Sequence, residues 1–410
     1  MKIFVISDLH IGPYARSNDF RTQGADKTNV DNFISEFQKV VDKEGITADY
    51  LIIAGDISNY AEYEEFEVAA KRIQEIANIL NISHKKIFFV PGNHDANWKA
   101  EETSLANKEP EGLARVKKYV NLQSNSFFSG LLDNSCYPNY YKDPYASIWE
   151  DEFVIVVGIN SSAYDSCDNE IHHGEVRLST FEEVQKKLDI MVQQGTQKVK
   201  ILLTHHHPIN YSDRTFKESD LSMMKNSEDF ISFSNSNDFD FIVHGHKHVP
   251  NFKIQSNDMS NPVNILCAGS FSAMLSEHHN GVPNCFHIIE IENFCSEAKI
   301  PRGQVSSWSY FTANNWGKSK SDRDGISHRE NFGTMLFPAS LKNKLSEIIS
   351  NLFESKDFAR SQCIVDAFPD IKYCPGKSVM HVLQKLAIEL QFEIQQADNN
   401  EFILWSKDAQ

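Results

Sequence analysis

Short apolar runs separated by amphipathic stretches recur between residues 2 and 291 and limit the folds that this chain can adopt. Each run has the length of a buried strand and is bounded by turn residues. The runs occupy residues 2–7, 49–54, 86–91, 153–159, 199–204, 240–244, 263–268 and 286–291. Between them, residues 30–43, 64–80 and 179–194 place apolar side chains at three- and four-residue spacing, as helices that cover a sheet do. The alternation predicts an α/β domain.

The chain is long enough for one large domain and an additional small one, since it has 410 residues. Residues 299–331 are rich in Ser, Gly, Asn and aromatic side chains and show no clear period. Beyond them, residues 340–354 and 378–390 predict amphipathic helices, and residues 392–396 with 402–406 predict a hairpin. The expected division is a large α/β domain, a linker or wrapping segment and a small α+β domain of unknown role, over residues 1–295, 296–335 and 336–410.

Cysteine usage and the chain start predict a cytoplasmic protein. The seven cysteines are scattered and form no C-x-x-C pair, so we expect reduced thiols. The first residues enter a strand-like segment without the pattern of a signal peptide. No stretch approaches the ~20 apolar residues of a membrane span, so no membrane association is expected.

The net charge limits the possible partners. A formal charge of −16 repels polyanions at long range, so a surface that follows nucleic acid without metal ions is not expected. Bound metal ions would reverse the charge locally, so acidity does not exclude a phosphate-bearing substrate.

Residues of the types that bind metal ions follow five of the apolar runs. They are Asp8 and His10 after the first run, Asp56 after the second, Asn93, His94 and Asp95 after the third, three histidines at 205–207 after the fifth, and His246 and His248 after the sixth. In α/β sheets, ligands gather outside the carboxyl ends of the strands, so these five strand ends can converge. One such residue alone is weak evidence, but five strand ends in this order favour a shared site.

The mixture of carboxylate, imidazole and amide side chains indicates which metals fit. Such a mixture suits Mn, Fe or Zn, whereas Ca and Mg prefer oxygen ligands alone. The number of ligands implies two ions, and the two oxygens of Asp56 could bridge a pair about 3.5–4 Å apart. We therefore expect two divalent metal ions, with Mn favoured and Fe or Zn as alternatives.

The blocks DLH, GD, GNHD, HHP and GHKH occur in an order that resembles the calcineurin-like metallophosphoesterase superfamily, over roughly residues 1–295. The resemblance implies an α/β (α+β) fold, a four-layer sandwich of two mixed β-sheets flanked by helices with the metals between strand ends. A small C-terminal α+β appendage would follow this sandwich.

The resemblance also implies two overlapping sets of metal ligands. The first ion would be held by Asp8, His10, Asp56 and His248, and the second by Asp56, Asn93, His206 and His246. His206 is preferred to His205 because the family's ligand usually stands two positions before the proline, here Pro208. His205 stays open as the alternative.

Two residues of the GNHD block are expected to act in catalysis without binding metal. His94 would lie near the leaving-group oxygen and act as a general acid or hold the phosphate, and Asp95 would orient its imidazole. The implied reaction is in-line attack on phosphorus by a hydroxide that bridges the metals.

The substrate is expected to be a nucleotide-type phosphodiester. The HHHP block, its spacing to GHKH and residues 172–188 are most similar to the cyclic-nucleotide phosphodiesterase branch. A DNA or RNA nuclease is the alternative, because the opening DLHIG also resembles repair nucleases of this fold. A non-catalytic binding or scaffolding module is a second alternative, which the complete ligand set disfavours. Residues 336–410 would bind a protein partner or mediate self-association.

Overall fold

A computed structural model provides the coordinates of the protein. It describes residues 1–13, 15–24, 32–169, 172–191, 197–211, 222–255, 261–274, 282–311, 315–320, 325–334, 336, 338–396 and 401–407.

The described residues form strands and helices that alternate in the first part of the chain. The strands are β1 Lys2–Ile6, β2 Tyr50–Ile53, β3 Ile87–Phe89, β4 Tyr137–Asn139, β5 Ala146–Glu150, β6 Val154–Ile159, β7 Val199–Leu203, β8 Phe241–His244, β9 Asn251–Gln255, β10 Val263–Cys267, β11 Cys285–Phe294, β12 Pro301–Phe311, β13 Asn315–Lys318, β14 Arg329–Phe332, β15 Phe358–Arg360, β16 Phe392–Gln396 and β17 Phe402–Ser406. The helices are α1 Phe33–Glu44, α2 Tyr63–Ile79, α3 Trp98–Ala106, α4 Glu111–Lys117, α5 Val120–Ser124, α6 Ser126–Asp133, α7 Leu178–Met191, α8 Ser227–Ser236, α9 Pro338–Phe353, α10 Ser361–Ala367 and α11 Gly376–Glu389.

Two large mixed sheets carry the strands of the first part of the chain. The first sheet has the order β13-β12-β11-β1-β2-β3, with β14 also paired to β12. The second has the order β4-β5-β6-β7-β8-β10-β9. Strands β1, β2 and β3 are parallel to one another, as are β6, β7 and β8. All eight apolar runs therefore form strands, as predicted.

Side-chain packing places the two sheets face to face between helices. Phe37 of α1 packs on Phe4 of β1, with ring centroids 5.5 Å apart. Phe88 of β3 contacts Trp149 of β5 at 5.6 Å, which joins the two sheets. Helices α7 and α8 share an apolar core with β8 and β10 of the second sheet. The layers confirm the predicted fold class, a sandwich of two mixed sheets flanked by helices.

The chain divides into two compact units at different positions from those expected. The first comprises residues 1–288 and 307–326, and the second comprises residues 289–306 and 327–410. The region expected to be a linker or wrapping segment contains β12, β13 and β14. In β12, large buried residues such as Trp308 and Tyr310 alternate with the buried serines Ser307 and Ser309. The small serines obscured a strand pattern of period two.

The second unit contains the small α+β element predicted for the end of the chain. Its three-stranded sheet has the order β15-β17-β16, and β16 and β17 form the predicted hairpin. Leu345 of α9 and Leu383 of α11 share one apolar core with Leu404 of β17. Among the described residues of the whole chain, no helix has the length and apolarity that crossing a bilayer requires.

Candidate metal centre

The carboxyl ends of β1, β2, β3, β7 and β8 bring metal-binding residue types together. Three groups of side chains have ligand atoms within 4.8 Å of one another, namely Asp8 with His10 and His248, His10 with Asp56 and His94, and Asp56 with His205 and His246. The groups overlap because His10 and Asp56 each belong to two of them. The convergence of strand ends expected from the sequence is therefore present.

Asp56 lies at the centre of these groups and is only 1% exposed. Its Oδ2 atom lies 3.2 Å from His205 Nε2 and 3.5 Å from His10 Nε2. Its Oδ1 atom accepts a hydrogen bond of 2.9 Å from the backbone N–H of His94. A carboxylate in this position can serve two ions at once.

Asp8 organises the other side of the site. Its Oδ1 atom lies 3.7 Å from His248 Nε2 and 3.9 Å from His10 Nε2. Its Oδ2 atom accepts a hydrogen bond of 3.1 Å from the backbone N–H of His246. His246 Nδ1 lies 3.1 Å from Asn93 Oδ1, so Asn93 and His246 are neighbours in the site.

Three histidines are held through Nδ1, which directs Nε2 towards the carboxylates. His10 Nδ1 bonds Asn59 Oδ1 at 3.3 Å, and His205 Nδ1 donates to the Ala54 carbonyl at 2.8 Å. His248 Nδ1 bonds the hydroxyl of Ser270. Metal-binding histidines are usually fixed in this way, because a partner on one ring nitrogen sets the tautomer and orientation of the ring.

His205 replaces His206 as the histidine that meets Asp56. His206 is also buried, but its Nδ1 bonds Ser161 Oγ at 2.9 Å. Its ring lies 4.5 Å from that of His246, beside the groups rather than within them. The structure thus places the alternative, His205, against Asp56, while the buried Nε2 atom of His206 also lacks a hydrogen-bond partner among the described residues.

Asn59 orients the imidazole of His94, in place of Asp95. His94 Nδ1 donates to the Asn59 carbonyl at 2.9 Å. The Asp95 carboxylate instead accepts hydrogen bonds from the backbone N–H groups of Gly92 at 2.8 Å, Ile57 at 3.2 Å and Ser58 at 2.8 Å. Asp95 therefore ties the loop after β3 to the loop after β2, and the role expected for it at His94 is corrected.

Five site residues have left-handed backbone conformations that side chains other than glycine rarely adopt. They are Asp8, His10, Asp56, His246 and His248, with φ angles of 50°, 48°, 49°, 70° and 55°. Such conformations are costly and persist where the surrounding structure enforces them, most often at functional sites. Strain at five ligand candidates supports a functional role for their arrangement.

Two of the glycines before the candidate ligands are required because other side chains approach their backbone closely. A Cβ atom on Gly92 would overlap the Asp56 carboxylate. A Cβ atom on Gly245 would overlap the side chains of Ser7 and Asp8. The backbone can approach these carboxylates only because a side chain is missing.

The charges of the site follow from burial and from the pairing of carboxylates with histidines. Burial raises the pKa of Asp56, but His205 and His94 outweigh it and leave that pKa well below its usual value. Burial and the neighbouring His206 and His205 lower the pKa of His246 well below its usual value. Burial lowers the pKa of His205, but the Asp56 carboxylate outweighs it and raises that pKa to about 9, so metal binding at His205 would release a proton.

The residues fit divalent metal ions. Among the described residues, the buried atoms Asp8 Oδ1, His10 Nε2 and His205 Nε2 have no hydrogen-bond partner. Leaving such a group unsatisfied costs about 1–3 kcal/mol, and more when it is charged. All three atoms belong to the ligand groups, so a bound cation would satisfy them together.

Several contributors to the site carry no motif that sequence inspection could single out. Asn59 and Ser270 fix His10 and His248. Gly174 lies against His206, where an added Cβ would come within 2.6 Å of the His206 Cβ atom. His172, two residues before Gly174 in the sequence, stacks on Trp98 with ring centroids 4.7 Å apart and an angle of 9°. Of these residues, only Asn59 could have been suspected from the sequence as part of the site, because it stands three residues after Asp56.

Comparisons with known proteins identify the first part of the chain. A sequence profile described as calcineurin-like phosphoesterase matches residues 1–250. A search of curated proteins found no match.

Solved structures that are similar to this chain were found at low sequence identity. Purple acid phosphatase PPD1 from yellow lupin is 12% identical with a TM-score of 0.40. The matched region covers 75% of this chain and 49% of the lupin protein. The NAD nucleotidase of Haemophilus influenzae is 15% identical with a TM-score of 0.34, and the match covers 78% of this chain and 54% of the nucleotidase. A 5'-nucleotidase precursor from Thermus thermophilus is 11% identical with a TM-score of 0.38, covering 75% and 53%. The chain spans about half the length of each of these proteins.

Proposed function

Because the chain belongs to the calcineurin-like phosphoesterase family, we propose that it hydrolyses a phosphate ester with the aid of two divalent metal ions. The observation that carries this proposal is the overlap of three ligand groups at Asp56 and His10. The buried atoms without hydrogen-bond partners among the described residues point into the same groups.

Two ligand sets share the Asp56 carboxylate in this proposal. One set is Asp8, His10, Asp56 and His248, and the other is Asp56, Asn93, His205 and His246. Two divalent ions would supply Lewis-acid stabilisation of the phosphoryl oxygens and a lowered pKa of water. Mn is the favoured metal and Fe or Zn are alternatives, because imidazole and carboxylate ligands are mixed.

His94 is proposed to contact the substrate at the leaving-group oxygen. Its Nδ1 proton is committed to the Asn59 carbonyl, so Nε2 is the atom available to the substrate. Burial lowers the pKa of His94, partly opposed by Asp56. Asp95 supports this role indirectly, because its hydrogen bonds hold the two loops that carry Asp56 and His94.

A nucleotide-type phosphodiester is the proposed substrate. Trp98 begins α3 four residues after His94, and its ring and that of His172 form a parallel pair. His172 is anchored by a hydrogen bond of 2.6 Å to Asp165 and is 30% exposed. Such a planar pair near the GNHD loop suits the stacking of a nucleobase. The cyclic-nucleotide branch remains the more specific proposal, on the resemblance of the HHHP and GHKH blocks.

A cytoplasmic location is also part of the proposal. All seven cysteines lie in the described residues, and none forms a disulfide. Reduced thiols are expected in a reducing compartment.

A substrate panel with manganese tests the reaction and the substrate class. The panel contains cyclic mononucleotides, cyclic dinucleotides, single- and double-stranded DNA, RNA, a phosphomonoester and bis(p-nitrophenyl) phosphate. We expect hydrolysis of the activated diester and faster turnover of a cyclic nucleotide. Preferred cleavage of DNA or RNA would assign a nuclease instead, and an intact activated diester would refute the enzyme proposal.

Two variants connect the activity to the site. Asp56→Asn should lower turnover of every substrate by at least about 100-fold, since a shared ligand is lost. Asp42→Asn, an exposed carboxylate on α1, is the matched control and should behave as the unmodified protein. Trp98→Leu should raise the KM for a cyclic nucleotide several-fold and leave the KM for bis(p-nitrophenyl) phosphate unchanged. An equal change in both KM values would contradict base stacking.

A further inference from the structure

The second compact unit contains a cavity whose lining includes none of the proposed metal-binding residues. Its volume of about 560 Å³ falls within the range of about 300–1,000 Å³ typical of small-molecule sites. Strands β12, β14 and β17, helices α10 and α11 and the helical turn Pro369–Tyr373 all contribute to it. Every lining residue belongs to the second unit.

One wall of the cavity is apolar and continuous with the core of this unit. The apolar lining residues are Val365, Ile371, Val379, Met380, Phe402 and Ile403. Ile371, Val379 and Phe402 belong to the buried core cluster, and Val365 and Met380 pack against it. A wall made from core residues is held in place, so the cavity is suited to the apolar body of a ligand.

Two arginines give the cavity positive charge. Arg329 of β14 and Arg360 of β15 both line it and are both exposed. No ion pair or hydrogen bond joins either guanidinium to another residue in the described part of the chain.

Nearby cations of the same unit are paired, which sets these two arginines apart. Arg302 meets Asp370 at 3.1 Å, and Lys372 meets Glu292 at 3.3 Å. Two arginines without protein counter-ions among the described residues stand out in a chain of formal charge −16. A planar guanidinium fork suits a phosphate group.

The first turn of α11 adds donors to the same cavity. Gly376, the first residue of the helix, lines the cavity and is buried. Pro375 precedes it and provides no side-chain cap, and no acidic residue lies in the first turn. The N–H groups at a helix start are unpaired within the helix and favour anions. Glu401 also lines the cavity and provides an acceptor for hydroxyl or amino groups.

The residues that line the cavity suit the binding of a ligand rather than catalysis. Burial raises the pKa of the Cys374 thiol to about 11, so this lining residue stays protonated and is a poor nucleophile at neutral pH. The metal-ligand groups found among the described residues all lie elsewhere in the chain.

We propose that this cavity binds a small phosphorylated molecule with an apolar or aromatic body, of the nucleoside monophosphate class. The phosphate would meet Arg329, Arg360 and the first turn of α11. The body would lie on the wall that includes Met380 and Phe402, with Glu401 accepting hydrogen bonds from ribose hydroxyls. This site is separate from the proposed catalytic one and does not depend on its chemistry.

Isothermal titration of the full chain with AMP tests the proposal. Excess EDTA removes metal ions, so that the catalytic residues cannot bind AMP through a metal. We expect one AMP per chain, weaker binding at higher ionic strength, and at least tenfold weaker binding of adenosine and of inorganic phosphate. Phosphate that binds as tightly as AMP would overturn the role of the apolar wall, and an absence of AMP binding would overturn the site.

A pair of charge-matched variants locates the binding. Arg329→Gln combined with Arg360→Gln should weaken AMP binding at least tenfold. Lys356→Gln combined with Lys385→Gln removes the same charge from exposed positions that do not line the cavity, and should leave the affinity unchanged. An equal loss of AMP affinity in both double variants would show that only the net charge matters, and it would refute the site. Manganese-dependent hydrolysis of bis(p-nitrophenyl) phosphate and thermal unfolding should be the same in both, which confirms folding.

Discussion

The two neighbouring histidines after β7 have different partners, although both are fully buried. His205 meets the Asp56 carboxylate at 3.2 Å, and His206 bonds the Ser161 hydroxyl at 2.9 Å. Successive side chains of an extended segment point in opposite directions, so one residue of difference separates the two positions. Sequence spacing to a proline does not resolve such a difference, but the partner of each ring does.

His205→Ala should remove one of the two metal ions, because it deletes a ligand of the second set. We expect turnover to fall by about 100-fold or more. His206→Ala should keep two ions and lose less than about tenfold, because the Ser161 contact lies outside the ligand groups. Elemental analysis of the purified variants counts the ions. Loss of an ion from the His206 variant, with two ions in the His205 variant, would restore the assignment first drawn from the sequence.

Gly92→Ala should disable the site although it removes no ligand. The added methyl group would overlap the Asp56 carboxylate, so the carboxylate or the backbone must move. We expect loss of manganese and of at least about 100-fold in turnover, as for loss of a ligand. Gly112→Ala is the matched control, because nothing lies within 4 Å of its Cβ position. An active Gly92→Ala enzyme would show that Asp56 tolerates displacement.

At the level of helices and strands, a buried lysine fixes α3 and α4 to the loop after β6. Lys118, directly after α4, donates to the carbonyls of Ser162 at 3.1 Å, Ala163 at 3.1 Å and Asp165 at 2.7 Å. Its ammonium lies 3.5 Å from Glu101 of α3, and both side chains are almost fully buried. The loop after β6 is therefore connected to α3, which begins at Trp98.

Lys118→Met should destabilise the protein, because it leaves Glu101 buried without its counter-ion. Breaking a buried pair in this way costs about 3–5 kcal/mol. Adding Glu101→Gln should recover a large part of the loss, since the remaining buried charge is removed. Chemical denaturation of both variants at pH 7 measures the two free energies of unfolding. A double variant less stable than Lys118→Met would contradict this account.

The pH dependence of this pair has a defined sign. Burial lowers the pKa of Lys118 from 10.5 to about 8, with Glu101 and Asp165 opposing the shift. Between these two values the unfolded chain binds more protons, so the stability contributed by Lys118 rises with pH and is lowest below pH 8. The unmodified protein should gain about 3 kcal/mol over Lys118→Met between those limits. A constant or falling difference in unfolding free energy would show that Lys118 titrates normally.

The elements that the sequence predicted and those that it missed differ in composition. The eight apolar runs became strands because continuous Val, Ile, Leu and Phe segments fit a strand that is buried on both faces. Strands β12 and β13 were missed because serine, glycine and asparagine separate their aromatic residues. Trp316 packs on Phe271 and Phe286, which are distant in sequence. Only the folded sheet shows that contact.

The convergence of the candidate ligands was predictable for the same reason that the strands were. Residues directly after buried strands share one edge of a sheet, so their positions follow from the strand ends. The partners that orient the ligands were not predictable, because Asn59 and Ser270 lie in loops without a period. Residues 14, 25–27 and 212–221, in the segments that follow β1 and β7, lie outside the described residues.

At the scale of the whole molecule, the proposed metals should contribute to stability as well as to catalysis. The structure buries the Asp8 and Asp56 carboxylates together, and beside them lie candidate ligand atoms without hydrogen-bond partners among the described residues. A cation that binds only the folded state stabilises it by about 2.7 kcal/mol at a concentration 100 times its Kd.

Manganese should therefore raise the Tm of the metal-free protein by about 3 °C, and excess EDTA should reverse the shift. Asp56→Asn should lose most of this response because the shared ligand is gone, whereas Asp42→Asn on α1 should keep it. Differential scanning calorimetry with and without manganese measures each shift. A manganese response that survives in Asp56→Asn would place the bound ion away from the strand ends, and the two-ion proposal would then fail, since both ligand sets require this carboxylate.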